Sequence, residues 1–161
     1  MEFRTAEPED TPGLRRVLIE AFGRPDEADL VDRLRADGDI ADSFVALIDR
    51  VVVAGVVFSR LVEPDWALAL APVGVLPALQ RRAIGTQLIK IALAHLQTGP
   101  RPGVFVLGEP TYYGRFGFDV AAAAGFASPY AGPHFALKAL ASPLPAASGI
   151  ARHAPAFAAL E

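Results

Sequence analysis

Hydrophobic positions near the start of the chain recur with the spacing of two amphipathic helices. In EDTPGLRRVLIEAF the apolar residues follow one another at intervals of three and four, which predicts a helix capped by Thr11. The segment RPDEADLVDRLRADG has a narrower apolar stripe, so we expect a surface helix that Asp26 caps and Gly38 ends. The preceding EFRTA predicts a short first strand.

The middle of the chain is rich in β-branched residues and predicts three strands. In SFVALIDRVVVAGVVFSRL, Asp49 and Arg50 interrupt the apolar run and indicate a hairpin turn. WALALAPVGVL predicts the third strand, although Pro72 has no N–H for a β-ladder and Gly74 is typical of a bulge. We therefore expect this strand to part from a neighbouring strand near its end.

The segment QRRAIGTQLIKIALAHLQ predicts the main helix of the fold. Its expected apolar face consists of five residues: Ile84, Leu88, Ile91, Ala92 and His95. Beyond this helix, GVFVLGEP and FALKAL predict strands, and TYYGRFG predicts one or two helical turns.

The predicted elements follow the order β-α-α-β-β-β-α-β-α-β. This order predicts an α/β fold with a mixed, mostly antiparallel sheet flanked by helices. A length of 161 residues and an apolar fraction of 52% suffice for one domain spanning residues 1–161. We expect its core at about 2–141, followed by an irregular Pro- and Ala-rich tail at 142–161, with IARHAPAF as a last extended piece.

Composition excludes several classes of site. The chain has no cysteine, which excludes disulfides, thiolate metal sites and thiol nucleophiles and fits a cytoplasmic protein. A net charge of −3 argues against nucleic acid as a partner. No apolar run reaches the roughly 18 residues of a membrane helix, and the polar N-terminus does not suggest a signal peptide. The histidines His95, His134 and His153 lack metal-ligand spacing, so we expect no metal.

The start of the main helix carries the first chemical signal. Arg81 and Arg82 stand at its N-terminus, where free N–H groups and the helix dipole favour an anion. Gly85 would allow a ligand to approach the backbone closely. The alternative is a surface helix whose first turn is merely basic. The stretch has neither a P-loop nor a Rossmann fingerprint, and a pyrophosphate is a sensible ligand.

The stretch VGVLPALQRRAIG resembles the acetyl-CoA signature of the GNAT superfamily of N-acetyltransferases. The stretches LGEPTYYGRFGF and RHAPAF resemble a small bacterial branch of that superfamily. Val75, Pro77, Gln80 and Gly85 fall on the family's pattern, whereas Ala83 replaces its first glycine. The later stretch YGRFGF resembles the element with which the family closes its core. The order of elements also agrees over nearly the whole chain, so the resemblance implies a single GNAT-like domain with a splayed central strand pair.

The resemblance implies that acetyl-CoA lies where the strand of Val73 and Val75 parts from the strand 105–108. Backbone groups of the first strand would hold the pantetheine arm, and amides of the turn and helix would hold the pyrophosphate. An amine would attack the thioester directly. The implied cofactor-binding residues are Val73, Gly74, Val75, Gln80, Arg81, Arg82, Ala83, Ile84, Gly85 and Thr86.

The resemblance also implies that Tyr113 is the general acid that protonates the departing thiolate. Without the resemblance, the preferred interpretation of Tyr113 is a core aromatic residue whose hydroxyl is satisfied elsewhere. No residue is an obvious base for the amine. Glu109 ranks ahead of Glu63, Asp65 and neighbouring Tyr112, and water remains an alternative.

Ala83 is the main departure from the family's pattern. If its φ is helical, alanine is tolerated with some loss of clearance, and we favour this outcome. If its φ is positive, the residue is strained and cofactor binding suffers.

Three hypotheses on function follow. The first is an acetyl-CoA-dependent N-acetyltransferase, monomeric or homodimeric, whose acceptor is an amine-bearing small molecule or peptide. The second is a non-catalytic acyl-CoA-binding or regulatory module on the same fold. The third is an unrelated α/β domain whose basic helix start meets an acidic partner.

Overall fold

Two helices follow the first strand in the computed structural model, which describes residues 1–160. Strand β1 (Glu2–Thr5) leads through a 3-10 turn into helix α1 (Thr11–Phe22), and helix α2 (Asp26–Ala36) follows. Both predicted caps are wrong by one position. Thr11 and Asp26 are the first helical residues, because the turn at Pro8–Asp10 runs directly into α1 and Pro25 precedes α2.

The predicted hairpin is confirmed in strands β2 (Ile40–Ile48) and β3 (Val51–Arg60). Asp49 and Arg50 connect them with φ values of 49° and 66°. A two-residue hairpin turn matches the twist of its flanking strands when both of its residues are left-handed, as they are here.

Strand β4 (Ala67–Val75), helix α3 (Ile84–Leu96) and strand β5 (Gly103–Leu107) follow along the chain. Six strands form one sheet in the order β1-β2-β3-β4-β5-β7, where β7 is Phe135–Ala139. Strands β4 and β5 pair in parallel, while β1–β2, β2–β3 and β5–β7 pair antiparallel. The predicted α/β fold with a mixed, mostly antiparallel sheet is confirmed.

The ladder between β4 and β5 is short. Over the described residues its register runs from Ala67↔Gly103 to Leu70↔Val106. It ends two residues before Pro72, which has no N–H to donate.

The C-terminal third contains elements that the sequence pattern did not predict. Helix α4 (Pro110–Gly114) matches the expected helical turns, but helix α5 (Val120–Ala123) and the small sheet of β6 (Phe126–Ala127) with β8 (Gly149–Ile150) are additional. The predicted tail is partly wrong. Its second half forms a 3-10 helix at Pro155–Leu160 rather than an extended piece, and Glu161 lies outside the described residues.

The chain forms two compact units. The first comprises residues 1–59, 71–92 and the stretch from Pro155. Its core includes a cluster in which α1 and α2 meet β3: Leu14, Leu18, Ala28, Val31 and Val57.

The apolar face predicted for α3 is partly wrong. Ile91 is 41% exposed and His95 is also exposed, whereas Ile89 and Leu93 are buried beside Leu88. The buried stripe is therefore rotated relative to the predicted one.

The second unit comprises residues 60–70 and 93–154 and has an aromatic core. Phe105 stacks on Phe135 with 5.1 Å between ring centroids and meets Phe126 edge-on at 5.3 Å. The half-buried Trp66 packs edge-on against Phe126 at 6.0 Å between ring centroids, so it covers this core. Within residues 1–160, no helix has the length and apolar character needed to cross a membrane.

Candidate functional site

The end of β4 lies close to α1 at Gly74. A Cβ on Gly74 would lie 3.1 Å from Leu18 Cδ2 and 3.4 Å from Ala21 Cβ. The glycine therefore allows close helix–strand packing on this side of the strand. Its neighbours Val73 and Val75, also predicted to contact the cofactor, are half-buried.

A short turn connects β4 to α3, and Gln80 fixes it. The Gln80 side-chain amide donates from Nε2 to the Val75 carbonyl oxygen over 3.0 Å. The Leu76 N–H donates to the Val53 carbonyl over 2.9 Å, which anchors the same end of β4 to β3. Gln80, predicted as a cofactor-binding residue, thus holds the turn against the strand.

The turn contains two left-handed residues, Arg81 with φ 66° and Ala83 with φ 61°. The expectation of a helical φ at Ala83 is therefore wrong. The Ala83 carbonyl accepts the N–H of Gln87 over 2.9 Å, so Ala83 is the residue that begins the hydrogen bonding of α3. An alanine in this conformation costs about 1–2 kcal/mol, which a glycine would avoid.

The first turn of α3 presents backbone donors. Its N–H groups have no acceptor inside the helix, and left-handed residues in the preceding turn favour an anion-binding concavity of amides. Gly85 has a second reason to be glycine, because a Cβ there would lie 3.3 Å from Val75 Cγ2. Ile84 is buried and Thr86 is half-buried, while Arg81, Arg82 and Ala83 are exposed. We call residues 80–86 the amide cradle.

The amide cradle carries two unneutralised cations. Across residues 1–160, neither Arg81 nor Arg82 has a carboxylate within salt-bridge distance, although Arg4, Arg15 and Arg24 do. Positive charge at a helix N-terminus is unfavourable unless an anion is bound there. The amides, the dipole and the two guanidinium groups together fit a pyrophosphate, as acetyl-CoA carries.

Tyr113 lies in α4 of the second unit and is half-buried. Burial, with a smaller contribution from the neighbouring Tyr112, raises the pKa of Tyr113 to about 12. Its hydroxyl makes no hydrogen bond to any residue in the described part of the chain. The phenol therefore keeps its proton at neutral pH and has that proton available for donation.

Gly108 is a residue near Tyr113 that the sequence analysis missed. It precedes Glu109 and α4, and a Cβ on it would lie 2.9 Å from Tyr113 Cδ2. The signal in the sequence was a glycine directly after a buried strand, which can mark a close approach by another group.

The candidate bases have structural contacts of their own. The exposed Glu109 carboxylate accepts the N–H of Thr111 over 3.4 Å and so caps α4. Glu63 lies 3.9 Å from Arg152, with which it also pairs through the backbone. The Asp65 carbonyl accepts a hydrogen bond from Arg101.

No three His, Cys, Asp or Glu side chains in the described range 1–160 are grouped as metal ligands. The expectation that the protein uses no metal stays a prediction.

Comparisons with known proteins find relatives in a single family. A family model described as "Acetyltransferase (GNAT) family" matches residues 9–104, which is more than half of the chain. The chain is 36% identical over 136 residues to the uncharacterised N-acetyltransferase YjhQ of Escherichia coli K12, covering 80% of this chain and 75% of that protein. It is 33% identical over 127 residues to the uncharacterised N-acetyltransferase YhbS of the same strain, covering 76% of this chain and 75% of that protein.

Two solved structures share the fold over almost the whole chain. The crystal structure of Escherichia coli YhbS in complex with CoA has a TM-score of 0.89 and 29% identity, covering 98% of this chain and 91% of that one. A GNAT family acetyltransferase from Brucella melitensis in complex with acetyl-CoA has a TM-score of 0.82 and 30% identity, covering 97% of each chain.

Proposed function

This chain belongs to the GNAT family of acetyltransferases and is an acyltransferase, and we propose that it transfers the acetyl group of acetyl-CoA to a primary amine. The observation that carries the proposal is the amide cradle, where two left-handed residues and two unneutralised arginines meet a helix N-terminus. The complexes of its relatives with CoA and acetyl-CoA support the choice of cofactor.

The first unit would bind the cofactor. Backbone N–H groups of residues 81–86 would hold the pyrophosphate, with Arg81 and Arg82 adding charge. The end of β4, at Val73, Gly74 and Val75, would offer its backbone groups to the pantetheine arm. When bound, acetyl-CoA supplies the acetyl group as a thioester.

Tyr113 would serve as the general acid. Because burial raises the pKa of Tyr113 to about 12, its hydroxyl is protonated at neutral pH. It would donate this proton to the sulfur as the carbon–sulfur bond breaks, and the base that takes up the amine's proton would later return a proton to Tyr113 through solvent. Donation of this proton prevents the thiolate from attacking the new amide.

The acceptor amine must also lose a proton. We propose Glu109 as the base, with water as the alternative. Glu109→Gln retains a side-chain oxygen that can cap α4 but cannot take up a proton at neutral pH, so a lower rate with unchanged folding would support the role.

The acceptor is proposed as an amine-bearing small molecule or peptide. A cytoplasmic location rests on the cysteine-free composition, and a monomer or homodimer remains the expected state.

The experiment that tests the function measures release of the CoA thiol from acetyl-CoA in the presence of a panel of primary amines. The panel includes polyamines, amino acids, an aminoglycoside and a short peptide with a free N-terminus. Thiol release above the rate without amine, together with the acetylated product by mass spectrometry, would establish the transfer. Tight CoA binding without release for any amine would instead support the non-catalytic binding module.

A further inference from the structure

The aromatic ring of Tyr113 occupies the space that a side chain on Gly108 would need. A Cβ on Gly108 would lie 2.9 Å from Tyr113 Cδ2 and 3.4 Å from Cζ, and Cε2 would be nearer still. Side-chain carbons do not approach a ring as closely as this, because protein interiors are already packed to contact distance. Gly108, which directly follows β5, therefore determines how closely the phenol can lie to the strand.

Neither partner in this contact can move without disturbing other groups. The Gly108 N–H donates to the His134 carbonyl over 2.9 Å, which fixes the backbone of the glycine. The Tyr113 ring packs edge-on against Tyr112 at 5.1 Å and against Phe118 at 5.8 Å between centroids. The Phe118 N–H also donates to the Tyr113 carbonyl over 3.4 Å. A methyl group on residue 108 would thus displace the ring as a whole.

We propose that Gly108 is a positioning residue for the acetyl transfer, because it sets the place of the Tyr113 hydroxyl. This inference rests on the proposed function of Tyr113 as the proton donor. A general acid must lie within hydrogen-bond reach of the atom it protonates, and a misplacement of about 1 Å can cost on the order of a hundredfold in rate.

The test variant is Gly108→Ala, assayed with acetyl-CoA and the primary amine that gives the fastest thiol release. We expect kcat to fall by about tenfold to a hundredfold, because the hydroxyl is displaced from the thiolate. Since the amide cradle is untouched, the calorimetric Kd for CoA should stay within about twofold of the original value.

Two glycines provide matched controls. A Cβ on Gly114, in the same helix as Tyr113, has no atom within 4 Å, so Gly114→Ala should retain kcat. A Cβ on Gly103 would lie 2.7 Å from Trp66 Cζ3, so Gly103→Ala should lower Tm. Gly108→Ala could also lower kcat only by weakening the fold. In that case Gly103→Ala, at an equal loss of Tm, would show an equal loss of kcat. This result would overturn the proposal.

A double-variant cycle separates this inference from the proposed function. If Tyr113→Phe leaves kcat unchanged, the proposed role of Tyr113 and the positioning role of Gly108 both fail. If Tyr113→Phe lowers kcat while Gly108→Ala does not, only the positioning role fails. The positioning role predicts that Gly108→Ala causes no further loss in the Tyr113→Phe background, and an equal loss in both backgrounds would overturn it.

A stability cycle covers the case in which Gly108→Ala alone does not fold. Tyr113→Ala removes the ring that the new methyl group would meet. The variant with both substitutions should therefore unfold at the Tm of Tyr113→Ala alone. A double variant that is much less stable than Tyr113→Ala would show that the methyl group clashes elsewhere and would overturn the inference.

Discussion

At Ala83 and at Gly108 the residue type is the opposite of the one that the backbone conformation favours. Ala83 has a φ of 61°, which suits glycine, and yet it carries a methyl group. Gly108 has a φ outside the left-handed region, where most residues are tolerated, and yet it carries no side chain. The first position stores backbone strain in an exposed turn, and the second leaves space for one aromatic ring. A family motif encodes the first kind of glycine, whereas the sequence marks the second only as a glycine that directly follows a buried strand.

The same contrast separates the two parts of the proposed chemistry. The amide cradle consists mainly of backbone N–H groups, which any residue except proline supplies, so single side-chain changes should have graded effects. The acid function depends on a single hydroxyl, on Tyr113. Removing that hydroxyl should have the largest effect of any single substitution.

Tyr113→Phe tests the acid function and should have the largest effect. We expect kcat to fall by about a hundredfold or more, which is the usual contribution of a positioned general acid, while the Kd for CoA changes little. Stopped-flow or steady-state thiol release would measure it. Tyr112→Phe is the matched control and should retain most of the activity. A Tyr113→Phe enzyme with full kcat would contradict the mechanism.

Replacing both Arg81 and Arg82 by alanine tests the charge of the amide cradle. Because both side chains are exposed and screened by salt, we expect a Kd for CoA about tenfold weaker at low ionic strength and a smaller difference at about 1 M salt. Calorimetry at two salt concentrations would measure this. Arg33→Ala removes another exposed cation from the first unit and should leave the Kd unchanged. If Arg33→Ala weakened CoA binding equally, Arg81 and Arg82 would contribute only general charge attraction rather than a specific contact in the amide cradle.

Ala83→Gly tests the strain in the turn. Removing a methyl group from a left-handed residue should raise the free energy of unfolding by up to about 1 kcal/mol, and it should also increase CoA affinity slightly. Ala78→Gly, in the preceding 3-10 turn where φ is not left-handed, should instead lower stability. Chemical denaturation of both variants would compare them. A loss of stability in Ala83→Gly would contradict the assignment of strain.

The pH dependence of stability tests the burial of the Tyr113 phenol. The pKa of Tyr113 is raised from 10.0 to about 12 in the folded protein, so the unfolded chain ionises first as pH rises. The stabilisation by the neutral phenol is complete below pH 10 and is lost between pH 10 and about pH 12. Over this interval the original protein should lose more stability than Tyr113→Phe does, as thermal unfolding would show. An equal loss of stability in the original protein and in Tyr113→Phe would contradict the burial of the phenol.

Much of the fold could be predicted because its local signals agree with its packing. The β-branched runs, the hairpin at Asp49 and Arg50 and the helical stripe of α1 all specify elements that the structure contains. The small sheet of β6 and β8 could not be predicted, because its strands are only two residues long and pair across more than twenty intervening residues.

The candidate site was predictable in its residue types but not in its conformation. The basic helix start could be read from Arg81 and Arg82, and the family resemblance supplied Tyr113. The left-handed φ of Ala83 could not be read, because alanine is ordinarily a sign of helix. The contact between Gly108 and Tyr113 depends on the tertiary position of a ring, which no local pattern in LGEPTYYG specifies.

The most direct test of the central claim is thermal unfolding with acetyl-CoA, with CoA, with ATP and without ligand. A ligand at about 100 times its Kd that binds only the folded protein adds about 2.7 kcal/mol of stability. We predict a clear rise in Tm with acetyl-CoA and with CoA, and little rise with ATP. The absence of any rise with either CoA compound would contradict the account, because an amide cradle that cannot hold the cofactor cannot support acetyl transfer.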